Sequence, residues 1–249
     1  MVTRPFLAMT PAEIRKITSL PERIAWMACH FSPYGRGLSN LPSALPEQAL
    51  LMVDDITPIH GHDPEIIAQQ LLQCSQLQNF QGILLDFQRA ENPETAELVQ
   101  HLSQVLPCRL AVSEPYAEAA ALPILISPVP PSVPLPDHLS KWTDREIWLD
   151  ISTRGEVLTV TESGTEVRPL PLGAFPENGF PEEQLHCHYL TKQMGNSIQF
   201  TLWRTEEDLS LLLEEAETLG VVQAVGLYQE YHMLINKQDG DQPRPQIFP

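Results

Sequence analysis

The sequence predicts one α/β domain of the (β/α)8 TIM-like barrel class, distorted by short or missing helices and carrying surface hairpins. The chain has 249 residues, which is an ordinary size for such a barrel. Its short apolar segments alternate with helix-like segments, and the helices near the middle are stunted. The predicted barrel strands lie at or near Ile24, Leu50, Ile83, Leu110, Ile124, Ile147, His188 and Val225. An open, doubly wound parallel sheet is the alternative architecture.

Two consecutive strand–helix units are predicted in the first half of the chain. Asp63-Pro64-Glu65 joins a capping aspartate to a proline at the first helical position, which predicts a helix to about Gln76. The buried strand Gly82 to Asp86 follows. Asn92-Pro93-Glu94 repeats the same cap chemistry before a second helix with an apolar stripe. Alternation of this kind indicates parallel strands joined by helical crossovers.

Capping and turn residues define the remaining elements. Thr10-Pro11-Ala12-Glu13 predicts a helix to about Leu20, and Thr205 and its neighbours predict a longer one over Glu207 to Leu219. Alternating residues on both sides of Glu162-Ser163-Gly164 predict a surface hairpin. Strand-like residues on both sides of Met194-Gly195-Asn196 predict a second strand pair.

The composition limits the partners and the location that we expect. The formal net charge of −17 argues against nucleic acid and anionic membranes as partners, since both need basic patches on the protein. No apolar run approaches the roughly 20 residues of a membrane helix, and the amino terminus lacks a secretory pattern. We therefore expect a cytoplasmic protein. The barrel domain is expected to span residues 1–237, followed by a polar, proline-rich tail at 238–249.

The segment Gln81-Gly82-Ile83-Leu84-Leu85-Asp86-Phe87-Gln88 contains the most apolar strand. It resembles the Asp-Gly-x-Asp-x-Asp-x-Glu signature on the fourth strand of the glycoside hydrolase family 18 barrels, the chitinase-like and spore-wall-lytic proteins. A second similarity lies at the carboxyl end, where a strand pair, a capped helix and a final strand follow in the family's order. There Tyr228 stands at the family's aromatic position. The resemblance spans about Leu50 to Tyr228 and implies a barrel that recognises carbohydrate.

Departures from the signature determine which activity the resemblance implies. In the family the final Glu is the general acid, and the last Asp helps to position the substrate's N-acetyl group as an internal nucleophile. Gln88 replaces the acid, while Gln81 and Leu84 replace two aspartates. Loss of a general acid typically costs about 10²–10⁴-fold in rate. The resemblance therefore implies a degenerate relative that lacks the catalytic Glu, in which Asp86, Gln88 and Tyr228 bind a sugar without cleaving it.

Acidic residues follow several predicted strands, and in a barrel these strand ends share one rim. A pair of them could act as acid and base without any family precedent, so Asp86, Asp150 and Glu114 are candidate catalytic residues. The candidate ligand-binding residues are Gln88, Asp54, Tyr228, Trp148 and Glu230. In the predicted strand near Ile147, alternation of side chains places Trp148 on the same face as Asp150. The competing interpretation is that strand ends simply collect solvated capping carboxylates.

Two His-x-His pairs suggest a metal-dependent hydrolase as a further alternative. His60-Gly61-His62 lies in a loop beside Asp63, which already caps a helix. His186-Cys187-His188 lies in a predicted hairpin strand, where alternate residues share a face in any case. The four cysteines form no Cys-x-x-Cys pair. We therefore predict no metal site and no cofactor.

These observations favour a glycosidase-like barrel that is non-catalytic or weakly active. We expect it to bind a carbohydrate or peptidoglycan-type ligand, or to serve as a scaffold for a protein partner. A glycoside hydrolase that uses a non-standard pair of rim carboxylates is the first alternative. A metal-dependent hydrolase is the second.

Overall fold

The computed structural model describes residues 4–171 and 174–231. Its strands, in chain order, are β1 (Phe6–Met9), β2 (Ile24–Phe31), β3 (Leu38–Ser39), β4 (Ala49–Asp54), β5 (Phe80–Asp86), β6 (Leu110–Ser113), β7 (Ile124–Ile126), β8 (Ile147–Ile151), β9 (Gly155–Thr161), β10 (Gly164–Leu170), β11 (Phe180–Glu182), β12 (Cys187–Met194), β13 (Ser197–Trp203) and β14 (Gln223–Leu227). Its α-helices are α1 (Pro11–Ile14), α2 (Pro64–Ser75), α3 (Pro93–Val105), α4 (Leu135–Leu139) and α5 (Glu206–Thr218). Short 3-10 turns cover Glu114–Tyr116 and Ser140–Trp142. The predicted tail at 238–249 lies outside the described residues.

Eight parallel strands close into a barrel in the order β1, β2, β4, β5, β6, β7, β8 and β14. Strand β1 completes the cylinder because Leu7 pairs with Ile24 of β2 on one side and with Gly226 of β14 on the other. Sequential parallel pairing of this kind confirms the predicted TIM-like barrel. The short strand β3 pairs antiparallel with the end of β2 and stays outside the cylinder.

The helical layer is incomplete, as predicted. Helices α2, α3 and α5 have 12 or 13 residues, whereas α1 has four and α4 has five. Asp63 and Asn92 cap α2 and α3 by accepting hydrogen bonds from backbone N–H groups of the first turn. In the described part of the chain, no helix is both long and apolar enough to cross a membrane.

An antiparallel sheet is inserted between β8 and α5. Its strands lie in the order β10, β9, β13, β12 and β11. Both predicted strand pairs are present, and β9 joins them by pairing with β13. The two hairpins therefore form one continuous sheet.

Two predictions about individual elements are wrong. The segment near His188 is not a barrel strand, because it belongs to β12 and pairs antiparallel with β13 through Trp203. The missing barrel strand is β1, whose four residues are all buried but are too few to show a period. The helix predicted to reach Leu20 ends at Ile14, because among residues 15–20 only Ile17 is partly buried and a second turn would have little to pack against.

Side-chain alternation divides the core into an interior and an outer layer. Residues that fill the cylinder include Phe6, Leu50, Leu84, Trp148 and Val225. Outer residues such as Ile83 and Leu85 pack with α2 and α3, and a second outer cluster packs with α4 and α5. Because Leu84 points inward, Asp86 two residues later points into the same interior at the carboxyl end of β5.

Position 82 in β5 requires a glycine. Its φ is +152°, and an added Cβ would lie 2.8 Å from the carbonyl oxygen of Arg109, the residue just before β6. We expect Gly82→Ala to lower the free energy of unfolding by about 1–3 kcal/mol, measured by urea denaturation. Gly195→Ala is the control, since Gly195 has a φ of +62° but open space around it; it should lose about 1 kcal/mol. A loss at Gly82 no larger than that of the control would contradict the steric explanation.

Candidate functional site

Three aspartates extend the inward-facing columns of side chains at the carboxyl ends of the barrel strands. Asp54 and Asp86 are paired in register on neighbouring strands β4 and β5. Asp150 follows the inward-facing Trp148 on β8 and is paired in register with Val225 of β14. The closed barrel therefore brings aspartates from separate strands to one opening.

Two adjoining cavities lie at this opening. The mouth cavity has a volume of about 300 Å³, and its lining includes Asp86, Gln88, Asp150, Arg154 and Glu230. The side cavity has a volume of about 540 Å³, and its lining includes Gln88, Glu91, Glu114, Glu118, Lys141, Trp142 and Asp150. Gln88 and Asp150 line both cavities and therefore mark the point where they meet.

Asp86 lies in an environment that disfavours its ionised form. Burial raises the pKa of its carboxyl group, and the negative charges of Asp54 and Asp55 raise it further. The side-chain amide of Gln88 opposes this effect, because its Nε2 donates a hydrogen bond to Oδ1 of Asp86. Gln88, in the loop after β5, thus stabilises the ionised form of Asp86.

Asp150 lies deeper and its pKa is shifted further. Burial raises the pKa of its carboxyl group to about 8, and the charges of Asp86 and Glu230 contribute to the rise. The N–H of Ile151 and the charge of Arg154 oppose it. Asp150 is therefore mainly protonated at neutral pH, beside a second carboxyl group.

Glu230 and Glu114 occupy the two sides of the opening. Glu230 is buried and accepts hydrogen bonds of 2.8 Å from the Ser152 hydroxyl and from the N–H of Thr153. Glu114 accepts a hydrogen bond of 3.0 Å from the Ser127 hydroxyl and lies 3.9 Å from Nζ of Lys141. Glu230 thus lines the mouth cavity and Glu114 the side cavity.

Asp54 lies next to this arrangement but lines neither cavity. Its Oδ1 accepts a hydrogen bond of 3.0 Å from the N–H of Ile56. Burial raises the pKa of its carboxyl group, whereas the Ile56 hydrogen bond and His30 lower it. Asp54 acts on the site through its charge, which raises the pKa of Asp86.

The two aromatic residues predicted to bind ligand do not line the cavities, and both predictions need correction. Trp148 is 0% exposed inside the barrel, and its Nε1 donates a hydrogen bond of 3.0 Å to Glu146. Tyr228 packs against the outer core, while Leu227, one residue earlier, lines the mouth cavity. Strand β14 ends at Leu227 and Tyr228 begins a helical segment, so the alternation of the strand does not carry Tyr228 to the opening.

The His-x-His pairs are engaged in structural contacts. Nδ1 of His62 accepts a hydrogen bond from the N–H of His60, and Nε2 lies 3.1 Å from the carbonyl oxygen of Ser32. Nε2 of His186 lies 2.7 Å from Glu215, and Nδ1 of His188 lies 2.8 Å from Asp208. Over residues 4–171 and 174–231, no group of three or more His, Cys, Asp or Glu side chains is arranged to hold a metal ion.

Several residues of the site were not predicted from the sequence. Arg154, Lys141 and Trp142 line the cavities but come from the start of the inserted sheet and from a 3-10 turn. No pattern in those segments indicates a site. Asp55 is different, because it directly follows Asp54 at the end of a predicted strand, and it is the residue that organises the loop after β5.

Asp55 fixes the backbone of that loop. Its Oδ1 accepts a hydrogen bond of 3.0 Å from the N–H of Gln88, and its Oδ2 accepts one of 2.9 Å from the N–H of Arg89. The guanidinium of Arg89 in turn donates to the carbonyl oxygens of Asp55 and Ile56. This network determines where the side chain of Gln88 meets Asp86.

We expect Asp55→Ala to lower the free energy of unfolding by about 2–4 kcal/mol, because two N–H groups lose their charged acceptor. Urea denaturation measures this loss. Asp55→Asn retains one acceptor oxygen in a similar shape and should lose less. Equal stability of wild type and Asp55→Ala would show that the loop does not depend on this carboxylate.

Comparison with solved structures identifies the architecture. A family 18 N-acetylglucosaminidase from Paenibacillus barengoltzii matches with a TM-score of 0.60 at 9% identity, covering 89% of this chain and 94% of that chain. The chitinase-like agglutinin RobpsCRA from Robinia pseudoacacia matches with a TM-score of 0.59 at 9% identity, covering 88% and 93%. A class V chitinase from Nicotiana tobaccum, a glutamate-to-glutamine variant in complex with NAG4, matches with a TM-score of 0.59 at 9% identity, covering 89% and 92%. The fold is that of the chitinase-like barrels.

At 9% sequence identity, these three matches establish the fold alone. A spore cortex-lytic enzyme of Bacillus cereus also matches, with a TM-score of 0.55 at 11% identity, covering 93% of this chain and 73% of that chain. No protein-family model matches the sequence, and no curated protein matches it. With β1 included, β5 is the fourth barrel strand, which is where the family 18 barrels carry the signature that Gln81 to Gln88 resembles.

Proposed function

We propose that the protein binds a carbohydrate oligomer in the two cavities and does not cleave it by the family 18 mechanism. One observation carries this proposal. Gln88, at the position where the resemblance expects the general acid, faces the opening and donates its amide hydrogen bond to Asp86. A primary amide does not titrate in the physiological range, so Gln88 holds Asp86 but supplies no proton to a glycosidic oxygen.

The shape and lining of the cavities suit an oligosaccharide. Their volumes of about 300 and 540 Å³ fall within the range of small-molecule sites. Polar groups such as Asp86 and Glu114 can accept hydrogen bonds from sugar hydroxyls, while Trp142 and Pro128 provide apolar surface. The tobacco chitinase, also with a glutamine in place of one glutamate, holds NAG4, and the agglutinin is chitinase-like by name.

A thermal-shift screen with chitooligosaccharides and muropeptides tests the proposal. A ligand at about 100 times its dissociation constant stabilises the folded protein by about 2.7 kcal/mol, which appears as a higher melting temperature. Asp86→Asn should reduce the shift, because it removes the charged acceptor that lines the mouth cavity. Glu97→Gln, an exposed position on α3, is the matched control and should leave the shift unchanged. Absence of a shift with every sugar would favour the scaffold for a protein partner.

Hydrolysis by a different acid is the second candidate function, and the state of Asp150 favours it. Burial holds the Asp150 carboxyl protonated at neutral pH, with Asp86 nearby as a potential base or nucleophile. Under this alternative, chitotetraose is slowly cleaved and Asp150→Asn lowers the rate by about 10²–10⁴-fold. Chromatography of the products decides between the two functions, because the leading proposal predicts intact tetrasaccharide. The cytoplasmic location and the lack of nucleic-acid or membrane partners stay predictions from composition.

A further inference from the structure

We propose that two copies of this chain associate through one face of the inserted antiparallel sheet and form a weak homodimer. The inference is independent of carbohydrate binding. It follows from the side-chain pattern of the sheet, from the exposure of its apolar side chains, and from the net charge of the chain.

One face of the sheet is apolar. Val167, Leu158 and Phe200 form a row across β10, β9 and β13, because each is paired in register with the next. Val160 and Ile198 are paired in the adjacent row. Residues paired across antiparallel strands share a face, and so do alternate residues along one strand. Both rows therefore lie on the same side of the sheet, which we call the apolar face.

The opposite face of the sheet is more polar. Glu166 and Arg168 of β10 form an ion pair of 3.7 Å on this side. Gln199 of β13 and Lys192 of β12 are paired in register on the same side. An antiparallel sheet with one polar and one apolar face normally buries the apolar one. The pattern therefore predicts a cover for the apolar face.

The apolar face is exposed in the single chain. Val167 is 52% exposed, Ile198 48% and Val160 38%. Phe180 of β11 is 62% exposed, and its ring lies 5.9 Å from that of Tyr189, with which it is paired. Among the described residues, the three hydrophobic clusters of the barrel include none of these side chains. Contiguous exposed apolar surface of this kind is typical of an interaction site.

The chemistry of the apolar face suits a protein surface better than a sugar. Val160, Val167 and Ile198 offer branched aliphatic groups without hydrogen-bond donors or acceptors. Sugars bind to aromatic rings and to polar groups, so they gain little from such side chains. A second antiparallel sheet gains more, because two sheets pack face to face at about 10 Å with interdigitated apolar side chains. The same face of another copy provides such a sheet.

The charge of the chain favours a second copy as the occupant. At a formal net charge of −17, two copies repel each other wherever charged surfaces meet. Over the full length of β9, β10 and β13, the apolar face carries one charged side chain, Glu156. Its Oε2 already accepts hydrogen bonds from the hydroxyl and the N–H of Ser132. Contact through this face therefore joins two copies with little repulsion.

The size of the apolar face indicates a weak dimer. The sheet has five strands, and β9, β10 and β13 have seven residues each. At about 4.8 Å between strands and 3.4 Å per residue, its face covers about 500 Å². Two copies would bury about 1,000 Å² together, which is near the lower limit of specific interfaces. We therefore expect a dimer that dissociates on dilution.

Size-exclusion chromatography with light scattering over a series of protein concentrations tests the proposal. The mass of the wild type should rise with concentration from 28.0 kDa towards twice that value. Added salt should promote association, because screening weakens the repulsion between two acidic copies. A wild type that stays at 28.0 kDa up to millimolar concentration, at low and at high salt, overturns the proposal and leaves the face to a different protein.

A matched pair of variants locates the contact. Ile198→Glu adds a negative charge to the apolar face of each copy and should weaken the dimer by about tenfold or more. Gln199→Glu adds the same charge to the opposite face of the same strand and should change it by less than about twofold. Val167→Glu on β10 repeats the test, and circular dichroism verifies that each variant is folded. A dimer that both apolar-face variants leave intact overturns the proposal. A monomeric wild type whose chitotetraose binding is lost in Ile198→Glu overturns it in favour of the carbohydrate.

Discussion

Asp150→Asn is expected to stabilise the protein at pH values near and above neutrality. In the folded protein, burial raises the pKa of this carboxyl group to about 8 from an ordinary value of 3.8. Between these two values the folded state keeps a proton that the unfolded state releases, so the contribution of Asp150 to stability falls as the pH rises. Each unit of pKa shift is worth about 1.4 kcal/mol, so the shift from 3.8 to about 8 sets an upper bound of about 6 kcal/mol on the effect.

Urea denaturation over a series of pH values measures this effect. The free energy of unfolding of the wild type should decline from mildly acidic to mildly alkaline pH more steeply than that of Asp150→Asn, so that the variant's advantage grows with pH. Asp86 and Asp54 also have raised pKa values and contribute to the decline in both proteins. The difference between the two curves therefore reports Asp150 together with its coupling to Asp86. Parallel curves would mean that this carboxyl group is not held protonated in the folded state.

Trp148→Ala is expected to destabilise the protein by about 3–5 kcal/mol, because truncation of a large buried aromatic side chain leaves a cavity. Trp148 is 0% exposed and packs among the residues that fill the barrel. Arg109 lies 5.1 Å from its ring centroid and Glu146 accepts its N–H, so the substitution also removes two polar interactions. Urea denaturation measures the loss, and Trp148→Phe, which keeps an aromatic ring, should lose less.

The same variants separate a structural role of Trp148 from a role in binding. Where Trp148→Ala remains folded, its affinity for the tetrasaccharide that binds the wild type should change little, because Trp148 lines neither cavity. A stable variant that has lost binding would restore Trp148 to the ligand-binding role predicted from its alternation with Asp150.

The parts of the fold that the sequence predicted are those with local signals. Helices α2, α3 and α5 begin at capping residues. Strand β5 is a run of apolar residues that follows Gly82, a position where a larger residue would clash. Strand β1 gave no such signal, since four buried residues carry no period. The inserted sheet supplied a strand-like segment near His188 that replaced β1 in the count. The number of barrel strands was therefore right although one member was wrong.

The site was predictable as far as alternation and strand ends determine it. Asp86 and Asp150 face the opening because they follow inward-facing residues on their strands, and Gln88 follows from the resemblance. Depth is not encoded locally, so Trp148 shares a face with Asp150 but is enclosed. Tyr228 was misplaced because β14 ends one residue earlier and its last inward side chain is Leu227. Lys141 and Arg154 reach the cavities only through the folded loops.

A crystal structure of the wild-type protein soaked with chitotetraose tests the central claim most directly. The account predicts an intact oligosaccharide in the two cavities, in contact with Asp86, Gln88 and Asp150. An oligosaccharide bound elsewhere on the surface would contradict it. A cleaved sugar at the opening would contradict binding without hydrolysis and would support Asp150 as the acid.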